Sequence, residues 1–91
     1  MLRVWGKIIR GHRIVENVTV SEPNEDLPVL TRVKECLDQI IMELDLPRPI
    51  WMNQNEEDIR QFGQTEFHQD HFVEPISFHH LEIEIIEIEE K

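Results

Sequence analysis

The sequence predicts an α+β fold: a β-hairpin, a long amphipathic helix, a short strand and short helix, and a long C-terminal strand, with the helix packed on one face of a mainly antiparallel sheet. Three observations predict it. Apolar residues alternate with polar ones near the start of the chain, recur every three or four positions in the middle, and alternate with glutamate at the end. A length of 91 residues suits one domain covering 1–91, with one core and no second lobe.

The first strand is read over Leu2–Ile9. Leu2, Val4 and Ile8 share one face with Gly6 between them, and Arg3, Trp5 and Lys7 share the other. Arg10-Gly11-His12-Arg13 supplies a turn, with Gly11 free to take φ > 0. A second strand follows over Ile14–Val20, rich in β-branched residues, with Ile14, Val18 and Val20 on one face. After the loop Ser21–Glu25, Asp26 is placed to cap a helix and Pro28 is tolerated in its first turn.

The helix is expected over about Leu27–Leu44. Leu30, Val33, Leu37, Ile40, Ile41 and Leu44 form its apolar stripe, and Arg32, Lys34, Glu35, Asp38, Gln39 and Glu43 fill the remaining surface. Pro47 and Pro49 stop it. Ile50-Trp51-Met52 reads as a short strand. Asn53 or Asn55 then caps a second helix, with Glu56, Glu57 and Asp58 at its positive end, Ile59 and Phe62 turned inward, and Gly63 as its stop. Between Thr65 and Phe72, Phe67 and Phe72 are anchors in a turn or a further short helix. In the last segment Leu81, Ile83 and Ile85 alternate with Glu82 and Glu84, then the phase slips so that Ile86 and Ile88 are apolar. A bulge near Ile85-Ile86 would turn all five aliphatics to the core; alternatively the strand end buries both faces.

Charge orders these elements. The formal charge is −10, from 19 acids against 9 bases. It is unevenly spread: Met1–Val15 carries four bases and no acid, and His79–Lys91 carries five glutamates and one lysine. The first and last strands are therefore expected side by side, with Arg3 and Lys7 facing Glu82 and Glu84 and Trp5 lying among them. These five residues are the candidate interaction surface. The same acidity disfavours nucleic-acid backbones and anionic membrane surfaces as partners. No apolar run reaches the roughly 18–20 residues of a membrane span, and the N-terminus lacks a signal-peptide pattern. Cys36, the single cysteine, suits a reducing compartment and sits beside the helix stripe as a small core residue. The expected location is cytoplasmic.

Catalytic motifs are missing. Ser21 and Ser77 lie in no nucleophile elbow, the three glycines are too scattered to cradle a phosphate, and the carboxylates read as helix-end charge or a solvated face. Histidine is the exception. His68, His71, His79 and His80 fall within thirteen residues, with Glu66 and Asp70 beside them. Two imidazoles and a carboxylate suit zinc or another borderline divalent metal. The candidate metal ligands are His68, His71, His79, His80 and Asp70, with zinc the alternative to a chain that carries no cofactor.

Phe67-His68-Gln69-Asp70-His71-Phe72-Val73-Glu74, with Phe78 and Leu81-Glu82-Ile83 after it, resembles the C-terminal half of a group of small uncharacterised bacterial proteins. Leu2-Arg3-Val4-Trp5-Gly6-Lys7-Ile8 and Pro49-Ile50-Trp51 resemble them as well. The resemblance implies a similar fold and no particular activity. The leading expectation is a non-enzymatic accessory or interaction protein that binds a protein partner or self-associates through an open strand edge or the Trp5 face. A metal-binding protein comes second, and a small acid–base enzyme third.

Overall fold

The computed structural model describes residues 1–89. Its elements are β1 (Leu2–Arg10), β2 (Arg13–Glu22), α1 (Val29–Leu44), α2 (Asn53–Phe62), β3 (Gln64–Phe67), a single 3-10 turn (Gln69–His71) and β4 (His80–Ile88). The strands form one sheet in the order β2-β1-β4-β3, antiparallel at every step. Both helices lie on one face of it, which is the predicted architecture. No helix among the described residues is long and apolar enough to cross a membrane.

The hairpin turn is made by Gly11 and His12, at φ 57° and 65°. Positive φ at both central residues is the pattern whose twist matches the flanking strands. Leu2, Val4 and Ile8 of β1 are buried as the alternation requires, and Leu81 and Ile83 of β4 join them. Val33, Cys36, Leu37, Ile40 and Ile41 of α1 close the core from above. The helix sits close because β1 has no side chain beneath Ile40: a Cβ on Gly6 would lie 2.6 Å from Ile40 Cγ2.

Several local expectations are corrected. Two bulges are responsible for the first group. Ile8 pairs with Glu16 and Ile9 with Ile14, so Val15 is the extra residue of β2 and Ile14 turns off the core face. In β4, Val4 pairs with Ile85 and Arg3 with Glu87, so Ile86 is the extra residue. The bulge falls where the phase slip placed it, but it does not bury five aliphatics. Ile86 is exposed, and Ile88 lines an apolar groove of about 560 Å³ between the two helices instead of filling the core.

Helix termini also differ. Asp26 caps nothing; its N–H donates to Asn24 Oδ1, and α1 begins after Pro28 without a side-chain cap. Arg32 is not on the surface but 2% exposed, with Nε donating to the Leu27 carbonyl. At α2, Asn55 does the capping: its Oδ1 accepts the Met52 N–H at 2.8 Å. Gly63 ends α2 at φ 68°, as expected, but Phe62 is 69% exposed. Ile50–Met52 is extended without joining the sheet. Its backbone is taken by other groups, the Ile50 N–H by His71 O at 2.7 Å and the Met52 N–H by Asn55. The short strand comes after α2, not before it, where Phe67 is fully buried against Trp51 and β4.

Replacing Gly6 by alanine is expected to destabilise the fold by about 1–3 kcal/mol, the usual cost of overpacking. Chemical denaturation should show a smaller penalty for Gly6→Ala when Ile40 is also alanine. Equal penalties in both backgrounds would mean that the close helix–sheet approach is not what Gly6 provides.

Candidate metal centre

The face of the sheet away from the helices collects the charged residues of β1, β4 and β3 in cross-strand rows. Lys7 lies opposite Glu82, which lies opposite Glu66; one row along, Ile9 lies opposite His80, and His68 follows the last paired residue of β3. Two groups result, one centred on Lys7 and one on Glu66.

In the first group Lys7 Nζ reaches Glu82 Oε2 at 2.5 Å and Glu84 Oε1 at 3.1 Å and lies 4.0 Å from the centroid of the Trp5 ring. Trp5 Nε1 donates to Asn17 Oδ1 at 3.1 Å, which fixes the ring over the ammonium. Lys7 is only 7% exposed although it lies on the open face. Burial alone would lower its pKa, but the hydrogen bonds and charges of Glu82 and Glu84 outweigh it and leave the ammonium above its ordinary 10.5. Arg3 pairs with Glu87 at 3.3 Å and not with Glu82 or Glu84, because the bulge at Ile86 brings Glu87 opposite it. All five residues of the candidate interaction surface therefore share one face, with Lys7 paired to Glu82 and Glu84 and Arg3 paired outside the five, to Glu87.

In the second group the ligand atoms of Glu66, His68 and His80 lie within 4.8 Å of one another. Glu66 Oε2 is 3.4 Å from His68 Nε2 and 3.7 Å from His80 Nε2, and the two imidazoles stack at a tilt, centroids 4.9 Å apart. His80 is the most enclosed of the three. Burial pulls its imidazole below the ordinary 6.5; Glu66 pushes it back up, and the neighbouring His68 and His79 pull it down again. It is therefore neutral at neutral pH, which is the form that ligates metals.

The other proposed ligands are placed around this set, not in it. His79 is bonded to His80 from behind, Nδ1 to Nδ1 at 3.0 Å, which leaves His80 Nε2 facing Glu66. His71 is turned away: its Nδ1 accepts the His68 N–H at 3.1 Å, and its ring packs edge-on against Phe67. The single 3-10 turn is the reason, since it makes His71 a partner of the backbone three residues earlier. Asp70 is exposed and contacts His71. Glu66, noted in the sequence only as a neighbour, is the carboxylate of the set. Its selection depends on the pairing of β3 with β4, which local patterning does not encode.

The positions of these side chains are fixed from beneath. Asn55 Nδ2 donates to Thr65 Oγ1 at 2.9 Å and to the Glu66 carbonyl at 3.2 Å, and Thr65 Oγ1 donates to Asp58 Oδ2 at 2.9 Å. The Gln69 side chain donates to the Glu74 carbonyl and accepts the Ile76 N–H, which shapes the loop into β4. The His79 N–H then donates to the Ile9 carbonyl at 2.9 Å and sets where β4 starts. A cleft of about 500 Å³ borders Glu66 and His68 and continues past Asp58, Gln64 and Asp70. Cys36 stands apart, fully buried, its thiol pushed up to about 11 mainly by burial and secondarily by Glu22 and Glu35. Comparison with family models, with curated proteins and with solved structures returned no match.

Two measurements follow from these environments. The folded protein holds the Lys7 proton more tightly than the unfolded chain does, so the ammonium's contribution to stability is complete below pH 10.5 and is lost as pH rises through the higher folded-state value. Lys7→Met should lower stability by about 1–3 kcal/mol at neutral pH and should lack part of the wild type's alkaline loss. Identical alkaline profiles for the two proteins would exclude the network as its source. Native Cys36 should also resist alkylation at neutral pH and react at the rate of global or local opening, so labelling should speed up as denaturant is added. Stoichiometric labelling within seconds in native buffer would contradict its burial.

Proposed function

We propose that this protein binds a divalent transition metal through Glu66, His68 and His80. The observation that carries this reading is the convergence of one carboxylate and two imidazoles from β3, the residue after it and the start of β4. In a tetrahedral zinc site with bonds of about 2.0–2.1 Å, neighbouring ligand atoms are about 3.4 Å apart. Glu66 Oε2 is already 3.4 Å and 3.7 Å from the two imidazole Nε2 atoms, and the remaining spacing, within 4.8 Å, is in the reach of rotamer adjustment. Three protein ligands leave a fourth position for water or a bound molecule, on a set that borders a cleft. His79 would act on the far nitrogen of His80, fixing the tautomer that presents Nε2.

A non-enzymatic interaction role, in a reducing cytoplasmic setting, is the second reading. It rests on the mixed-charge face of Arg3, Trp5, Lys7, Glu82 and Glu84 and on the open edge of β2. The charge of that face is largely satisfied within the chain, which favours the metal reading over docking there. The negative balance of the chain supports neither a nucleic-acid backbone nor an anionic membrane surface as the partner.

Titration of protein purified without a histidine tag with Zn²⁺, and with Co²⁺ as a spectroscopic stand-in, tests the proposal. One equivalent should bind, and Co²⁺ should give the strong visible absorption of a four-coordinate site. His80→Ala, His68→Ala or Glu66→Gln should each weaken binding by 100-fold or more, on the order of one lost ligand. His79→Ala should weaken it by roughly 10–100-fold through the orientation of His80, with His79→Asn partly restoring it. Absence of binding, or binding unchanged in His80→Ala, would overturn the proposal.

A further inference from the structure

We propose that this protein forms a two-fold homodimer by pairing β2 antiparallel with β2 of a second copy, centred on Val18. The two edges of the sheet are β2 and β3. β3 is four residues long and packs beside α2. β2 is ten residues long with no proline and no lysine, the residues that commonly blunt an exposed edge. A long edge of this kind templates another strand, and the sequence of β2 matches a copy of itself.

The bulge is what makes it match. Arg13 and Glu22 are nine positions apart, so in a regular strand they would lie on opposite faces. Val15 is the extra residue, and it returns Arg13 to the face of Glu22. Along the ladder, Glu22 lies opposite Leu2, Val18 opposite Gly6 and Arg13 opposite Arg10, so Val18 is midway between the two charges. A two-fold axis through Val18 sets Arg13 of each copy opposite Glu22 of the other and Thr19 opposite Asn17. It sets Glu16 opposite Val20 and places no like charges directly across the pair. Cross-strand pairs of opposite charge are favourable and like pairs unfavourable, so this register is selected over its neighbours.

Charge within one chain points the same way. Glu22 and Glu35 sit beside each other at one end of β2, and the neighbouring Glu22 carboxyl holds Glu35 above its ordinary 4.5. Arg13, exposed at the other end, makes no ion pair among the described residues. The second copy's Arg13 would arrive beside this acidic pair. Helix α1 adds to the contact. It touches both β1 and β2, so with strands about 4.8 Å apart the two copies of α1 would run about 10 Å apart across the axis, near helix packing distance. Glu35, Gln39 and Met42 follow one another at i, i+4 and i+7, and Gln39 reaches the Ser21 carbonyl above the edge. Met42, 81% exposed, gains cover there.

Sedimentation equilibrium at physiological ionic strength tests the pairing, independently of any metal. The wild type should be a dimer. Arg13→Glu and Glu22→Arg should each raise the dimer dissociation constant by roughly tenfold or more, while circular dichroism and thermal unfolding confirm that both fold. The double reversal should restore the dimer, because the pairs are re-formed with exchanged sign. A wild type that remains monomeric to about 1 mM overturns the proposal and leaves the edge to a strand of another protein. So does a dimer that both single reversals leave intact, which places the interface elsewhere, or a folded double reversal that stays monomeric.

Discussion

The register of β4 between β1 and β3 is the constraint from which the rest follows. β4 is a central strand between β1, the first strand of the chain, and β3, the strand that precedes it in sequence, and every cross-strand row on the open face passes through it. Sliding it by one residue would exchange Leu81 and Ile83 for glutamates in the core, at a cost of several buried aliphatic side chains. Lys7 makes the same choice from the other face, because only the native register gives it Glu82 and Glu84 together. Two different forces, burial and charge, thus select one alignment. The position of His80 beside His68 is a consequence of that alignment and not of any local preference of the histidines.

That explains which features were legible in the sequence. The neighbourhood of the terminal strands could be read because it was encoded twice, in alternation and in opposite charge. Helix α1 could be read because its stripe is long; its buried residues Val33, Leu37, Ile40 and Ile41 are those the periodicity selects. The errors fall where one residue changes the face of the next. The bulge at Val15 moved Ile14, and the bulge at Ile86 left Ile88 at the groove. Arg32 was misplaced because periodicity alone assigns a charged residue to water, while a carbonyl at Leu27 was available to accept from it. Four-residue strands such as β3 carry too few alternations to be distinguished from a turn.

The candidate site was half legible for a related reason. Clustering in sequence found the histidines, but ligand sets are defined by which side chains leave the same face at adjacent rows. His68 and His80 meet through strand pairing although they are twelve positions apart in sequence, and Glu66 enters because β3 runs alongside β4. His71, three residues from His68, is closer in sequence yet is spent on the backbone of the turn. Spacing of three reads as a shared helical face only where both residues are helical, and here His71 lies in the 3-10 turn while His68 is extended backbone before it.

The two groups on the open face are finally related by what each does to its carboxylates. A row of Lys7, Glu82 and Glu66 across three strands places two acids side by side beyond one base. Lys7 commits to Glu82 and draws in Glu84 from the next row, and the Trp5 ring shields that ion pair from water. Glu66 is thereby left facing two imidazoles, one of which is held neutral mainly by burial. The carboxylate and the two imidazoles bring one ligand atom each within 4.8 Å of one another, which is the geometry on which the metal proposal rests. The stabilising network and the proposed metal site are thus two results of one charge distribution: the basic strand neutralises as many glutamates as it can reach, and the carboxylate one strand further away remains available to a cation from solution.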